Sequence, residues 1–120
     1  MKTLIIMLLT LSTLACPYKL ETQDLCINIE WIDGPNDGST STFKATLTDR
    51  NDENVAVDNL EIFSWMIMPN MQHGGPAITW TYNSSDEIEA TSRFFMGNMM
   101  GHWEVRFKVN DDIIAIPVEL

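Results

Sequence analysis

Beyond its fifteenth residue the chain alternates between apolar and polar positions in short runs. Ile27, Ile29 and Trp31 are separated by Asn28 and Glu30, and Phe43, Ala45 and Leu47 by Lys44 and Thr46. Ile78, Trp80 and Tyr82 repeat the pattern, as do Ile88, Ala90, Ser92 and Phe94, and most clearly Trp103, Val105, Phe107 and Val109. A period of two sends one set of side chains to each face of a strand, so each run predicts a strand with one buried face. Further strands are expected from Leu60 to Met66, where Pro69 cannot donate to a ladder and marks the end, and from Ile113 to Leu120, where Pro117 implies an edge. Turn formers fill 33–39 and 49–54, the latter opening a short Val55-Ala56-Val57 segment, and Asp111-Asp112 is expected to turn tightly. No stretch after residue 15 carries a helical period. About seven strands at this spacing predict an all-β fold, an immunoglobulin-like sandwich, whose loops gather at the two ends.

The first fifteen residues read differently. Lys2 is followed by the apolar run Leu4-Ile5-Ile6-Met7-Leu8-Leu9-Thr10-Leu11, too short to span a bilayer, and then by small residues ending Thr13-Leu14-Ala15-Cys16. This is the pattern of an export signal. It resembles a bacterial lipoprotein signal over 1–15, in which Cys16 becomes the lipidated first residue. Thr13 departs from the usual Leu three positions before the cysteine, and a plain signal cleaved near Ala15 is the alternative. Pro17 in place of Asp after the cysteine leans toward the outer membrane. Residues 16–24 then form the lipidated cysteine and a polar tether, and 25–120 the folded domain. With Cys16 acylated, Cys26 is expected as a buried thiol packing as a small hydrophobe. Without acylation, a Cys16–Cys26 bridge is open in an oxidising compartment.

Charge narrows the choice of partner. The net charge is −10, and removal of Lys2 with the signal makes it −11. Such a balance argues against nucleic acid and against anionic membrane surfaces, leaving a lipid anchor as the membrane contact. About a hundred residues suffice for one small core.

The unusual chemistry sits in two stretches. Both histidines and six of the eight methionines fall in Met66-Ile67-Met68-Pro69-Asn70-Met71-Gln72-His73 and Met96-Gly97-Asn98-Met99-Met100-Gly101-His102. Core methionines ordinarily scatter as gap-fillers. Here they keep company with His, Gly, Asn and Pro, which favour loops. Thioether sulfur is a soft ligand suited to Cu(I), and imidazole suits copper in either oxidation state. Met68, Met71 and His73 around Pro69 can turn several donors toward one point, with Met96 from the second loop. Met99, Met100 and His102 are further candidates on chemistry alone. Met66, sharing a strand with Trp65, is expected in the core, as are Trp65, Trp80 and Trp103. Arg93 and Arg106 are expected to pair with surface acids.

Taken together, the turn-rich 33–39, the strand 43–48, the segment 49–57, the loop Trp65-Met66-Ile67-Met68-Pro69-Asn70-Met71-Gln72-His73-Gly74 and the later Phe95-Met96-Gly97 leading to Trp103-Glu104-Val105-Arg106-Phe107 resemble the YtkA-like/FixH-like domains. Those are small exported or membrane-anchored bacterial β-sandwiches with a Met-Pro-x-Met-x-His-like loop and a Met-x-Gly-x-Trp-like strand start. The resemblance covers 25–120 and implies copper handling, with Met68, Met71, His73 and Met96 as the positions that match. The segment holding Met99, Met100 and His102 is longer than the family's. The transmembrane helix common in FixH-like proteins is not found in this sequence.

Enzyme motifs are missing: there is no serine elbow, no paired-Cys zinc motif, no phosphate loop and no His-Glu-x-x-His. A redox Cu(II) centre would want two or more histidines in a fixed arrangement, and the whole chain has only two. The expectation is a non-enzymatic copper carrier, buffer or donor in a bacterial cell envelope, facing the periplasm, with copper and a copper-accepting or copper-donating protein as partners. The alternative is an anchored interaction module whose methionines form an adaptable docking surface without metal.

Overall fold

A computed structural model describes residues 16–97 and 100–120. The export signal expected at 1–15 and the candidate Met99 lie outside the described residues. Among the described residues there are nine strands and no helix: β1 (Tyr18–Leu20), β2 (Leu25–Asp33), β3 (Thr40–Thr48), β4 (Leu60–Met68), β5 (Met71–Gly74), β6 (Thr79–Tyr82), β7 (Ile88–Arg93), β8 (His102–Val109) and β9 (Asp112–Val118). They form a five-stranded sheet, β1-β2-β3-β7-β6, and a four-stranded sheet, β5-β4-β8-β9, in which neighbouring strands run antiparallel.

The alternation places the core as expected. Phe43, Ala45 and Leu47 from one sheet, and Trp103, Val105, Phe107 and Val109 from the other, are buried, and so are Ile88, Ala90, Ser92 and Phe94. Each fully buried large apolar side chain, Phe43, Phe94 and Phe107 among them, contributes about 1.5–3 kcal/mol. Pro117 lies on β9 at the edge of the four-stranded sheet, where its missing N–H removes no ladder bond on the outer side. The turn between β8 and β9 falls one residue earlier than expected. Val109 pairs with Asp112, so Asn110-Asp111 form the two-residue loop, with Asn110 at φ 56°. Asn tolerates that left-handed conformation better than most residues.

Nine strands stand where about seven were expected, and further expectations need correction. Residues 17–24 are not a free tether: Tyr18–Leu20 add a strand to β2, Leu20 is fully buried, and Thr22 donates to Asp112 from both its N–H and its hydroxyl at 2.8 Å. Of the two states open to Cys26, the structure holds the bridge to Cys16, with their Cα atoms 5.9 Å apart. That bond uses the sulfur that lipidation would require, so the two cannot coexist in one molecule. Finally, Trp65 faces outward. The inward positions of β4 are Leu60, Ile62, Ser64 and Met66, so Trp65 projects from the other face, half-buried beneath the Arg106 guanidinium at 5.0 Å from its ring.

Candidate metal site at one end of the sandwich

The first Met/His stretch is a β-hairpin rather than an irregular loop. β4 runs to Met68, Pro69-Asn70 make the turn, and β5 returns with Met68 opposite Met71 and Met66 opposite His73. Directly opposed residues share a face, with Cβ atoms about 4.5–5.5 Å apart. Residues two apart on one strand share it too. The register therefore puts Met66, Met68, Met71 and His73 at four corners of one face, the face that turns toward the core. Exposure rises along it: Met66 is fully buried, Met68 is half-buried against the core, and Met71 at the tip is 56 % exposed. The sequence expectation of Met66 as core and of Met68, Met71 and His73 as neighbours agrees with this register.

His73 is held by its neighbour. Its Nδ1 lies 2.7 Å from the Gly74 carbonyl oxygen. A carbonyl can only accept, so in the neutral ring Nδ1 carries the proton and Nε2 keeps the lone pair for a ligand. The hairpin is pinned from its outer face by Trp65, whose Nε1–H donates to Gln72 Oε1 at 3.0 Å. Beyond the hairpin, Gly75 N–H donates to Ser64 O, Ser64 Oγ donates to Pro76 O at 2.6 Å, and Ser92 Oγ from the other sheet donates to Ala77 O. Two buried serines thus fix the course of the chain just past His73.

Trp103 joins the two Met stretches. It is paired with Met66 across β4–β8, its ring meets His73 edge-on at 6.4 Å, and its Nε1–H donates to Phe95 O at 3.2 Å. The ring lies so close over Gly75 that a Cβ there would overlap it. An aromatic series from Trp31 through Phe94 to Trp103 and His73 runs from the first sheet to the second at this end. The turn-rich segment after β2 secures the start of the second stretch: Asp37 Oδ1 accepts from Met96 N–H at 2.9 Å, Gly38 N–H donates to Phe94 O, and Arg93 Nε–H donates to Gly38 O. Arg93 therefore meets a carbonyl rather than the acid expected for it. Gly101, at φ 124°, packs on the Ile67 carbonyl and the Met68 Cα with no room for a side chain, bringing the far end of the second stretch beside the hairpin.

The seven candidate ligands do not all converge. Met68, Met71 and His73 share one face. Met96 is half-buried in a cleft lined also by Gly101, His102, Trp103, Val118 and Leu120, on the β9 side of Trp103 rather than the hairpin side. Met100 is 72 % exposed. His102 pairs with Ile67, one register step from the Met66–Trp103 row, and so projects from the opposite face. There its Nε2 lies 3.5 Å from Glu104, whose carboxylate also accepts from Arg106 Nε and Nη2 at 3.0 and 2.8 Å, the acid pairing expected for Arg106. Among the described residues no three His, Cys, Asp or Glu side chains gather as a metal site, so a centre at this end depends on thioether sulfur. Two thioethers and one imidazole are a donor set that fits Cu(I) and discriminates against hard cations.

Sequence reading missed the residues that position the site. Asp37, Ser64, Ser92 and Gly75 carry no motif, and only the pairing of distant segments reveals them. The direction of His102 was legible in principle, since it immediately precedes the inward-facing Trp103 on a strand of period two. No protein-family model, curated protein or solved structure matches the chain.

Proposed function

We propose that this protein carries, buffers or delivers copper as Cu(I), taking the ion at Met68, Met71 and His73. The observation that carries the reading is the β4–β5 register, which sets two thioethers and one imidazole on a single face of a two-residue hairpin. Such a set binds without deprotonating its sulfurs, so its pH dependence comes through the imidazole. The reading keeps the resemblance to the YtkA-like/FixH-like domains and the immunoglobulin-like character of the two sheets. It takes the chain as non-enzymatic, with copper as cargo and a copper-donating or copper-accepting protein as its partner.

Export to the bacterial cell envelope belongs to the same proposal. A Cys16–Cys26 disulfide suits an oxidising compartment such as the periplasm. Lipidation at Cys16 is the other fate of the same sulfur, in which Cys26 is left as a thiol and the domain is anchored.

A second reading has its own observation. Phe95, immediately before the second Met stretch, is 61 % exposed, and Met71 and Met100 within the stretches are exposed as well; exposed apolar side chains of this kind suit a protein-docking surface. Competition for Cu(I) against a chromogenic chelator separates the two. The copper reading requires one-to-one binding that collapses in Met68→Ala/Met71→Ala. A protein that leaves the chelator fully loaded supports docking instead.

A further inference from the structure

The hairpin grades its sulfurs by exposure, and that grading has a chemical consequence. Along one face, Met66 is sealed in the core, Met68 is half-buried and Met71 is open to solvent. Oxidation of a thioether requires the oxidant to reach the sulfur, so rates follow exposure. We propose that Met71 is an oxidation-sensitive sulfur through which a peroxide or hypochlorous acid switches off the soft donor set; the switch rests on the copper reading above.

The step balances with the oxidant as the only co-reactant. Hydrogen peroxide transfers one oxygen to the Met71 sulfur: the O–O bond breaks, an S–O bond forms, sulfur loses two electrons, and the remaining oxygen leaves as water after a proton shift. The product is a methionine sulfoxide, reversible by reductases specific for its two epimers. Its outermost donor is a hard oxygen in place of a soft sulfur, which suits Cu(I) poorly. Met71 sits directly opposite Met68 and two residues from His73, so one oxidised atom removes one of the three candidate donors on that face.

The purified protein is treated with graded hydrogen peroxide, each added oxygen is located by peptide mass spectrometry, and Cu(I) competition is measured on the same samples. Met71 should oxidise well before Met66, and Cu(I) affinity should fall by at least about tenfold, the lower end of what losing even an outer partner of a metal ligand costs. Affinity should return after treatment with methionine sulfoxide reductases. Oxidation of Met66 as fast as Met71, or full Cu(I) affinity with Met71 converted to sulfoxide, overturns the switch. If the untreated protein does not compete for Cu(I), the copper reading itself fails and the switch with it. The two failures are therefore told apart by the untreated sample.

Discussion

Gly75→Ala tests whether Trp103 holds the two Met stretches together. The backbone at Gly75 lies outside the left-handed region, so an alanine meets no conformational penalty there. Its methyl group, however, overlaps the six-membered ring of Trp103 and presses against Ser64 Oγ. Trp103 is only 4 % exposed, is flanked by Phe94 at 6.0 Å, and is tied to Phe95 O, so it moves only by giving up that bond. Overpacking a filled site costs roughly 1–3 kcal/mol, and a lost hydrogen bond of this kind about 1 kcal/mol. The expected destabilisation is about 2–3 kcal/mol, or roughly 10–20 °C in melting temperature for a domain of this size. Trp103→Phe removes the clashing ring atoms and the Nε1 donor, at a cost of about 1–3 kcal/mol for the void and the bond. In that background the added methyl group has space, so the double variant should cost less than the two singles combined by about 1–2 kcal/mol. Urea unfolding of the four proteins with a common m-value measures this coupling. Costs that add to within about 0.5 kcal/mol would refute the close packing of Gly75 on Trp103.

Other expectations follow from the same geometry. Thiol alkylation without reductant should label neither cysteine of the bridged form and, after reduction, both. Closing the ten-residue separation between Cys16 and Cys26 should stabilise the fold by about 2–3 kcal/mol on the chain-entropy account, read as the difference in urea midpoint between oxidised and reduced protein. The Tyr82 hydroxyl has its pKa raised above 10.0 by burial, with Asp86 and Asp58 adding to the rise, although the Val57 N–H it accepts pulls the other way. A raised folded pKa gives stability that is intact below the unfolded value and lost as pH climbs through the folded one. Alkaline titration should therefore show a loss of stability beginning near pH 10 that is absent in Tyr82→Phe. Cu(I) affinity should fall in His73→Ala but stay within about twofold of the parent in His102→Ala, because His102 projects from the other face; equal losses would contradict that assignment.

How much of this was legible in the chain depends on how local the cause is. The faces of β3, β7 and β8 follow from period-two alternation, because each has polar residues between its apolar ones. β4 does not: Phe63, Trp65 and Ile67 are apolar on one face while Ile62 and Met66 are apolar on the other, so sequence alone cannot say which set is inside. Ser64 in the core and Trp65 outside is the reverse of what polarity suggests, settled by the Ser64–Pro76 bond and by Arg106 over the indole. β5 is four exposed residues with no hydrophobic signature, and only its pairing with β4 makes it a strand. β1 is likewise short and gains its place from Leu20, the disulfide and the Thr22–Asp112 contacts, all of them long-range or dependent on a covalent bond. For the candidate site, the fold does place Met68, Met71 and His73 of the Met-Pro-x-Met-x-His stretch on one face. The hairpin register explains why, since a two-residue turn at Pro69-Asn70 sets Met68 against Met71.

The most direct test of the copper reading is X-ray absorption at the copper edge on the protein loaded with one equivalent of Cu(I). The expected spectrum shows a coordination sphere dominated by thioether sulfur with one imidazole nitrogen, and loss of the sulfur signal in Met68→Ala/Met71→Ala. A sphere of nitrogen and oxygen alone, or a protein that retains no copper through desalting, would contradict the claim that this hairpin is a soft-metal site.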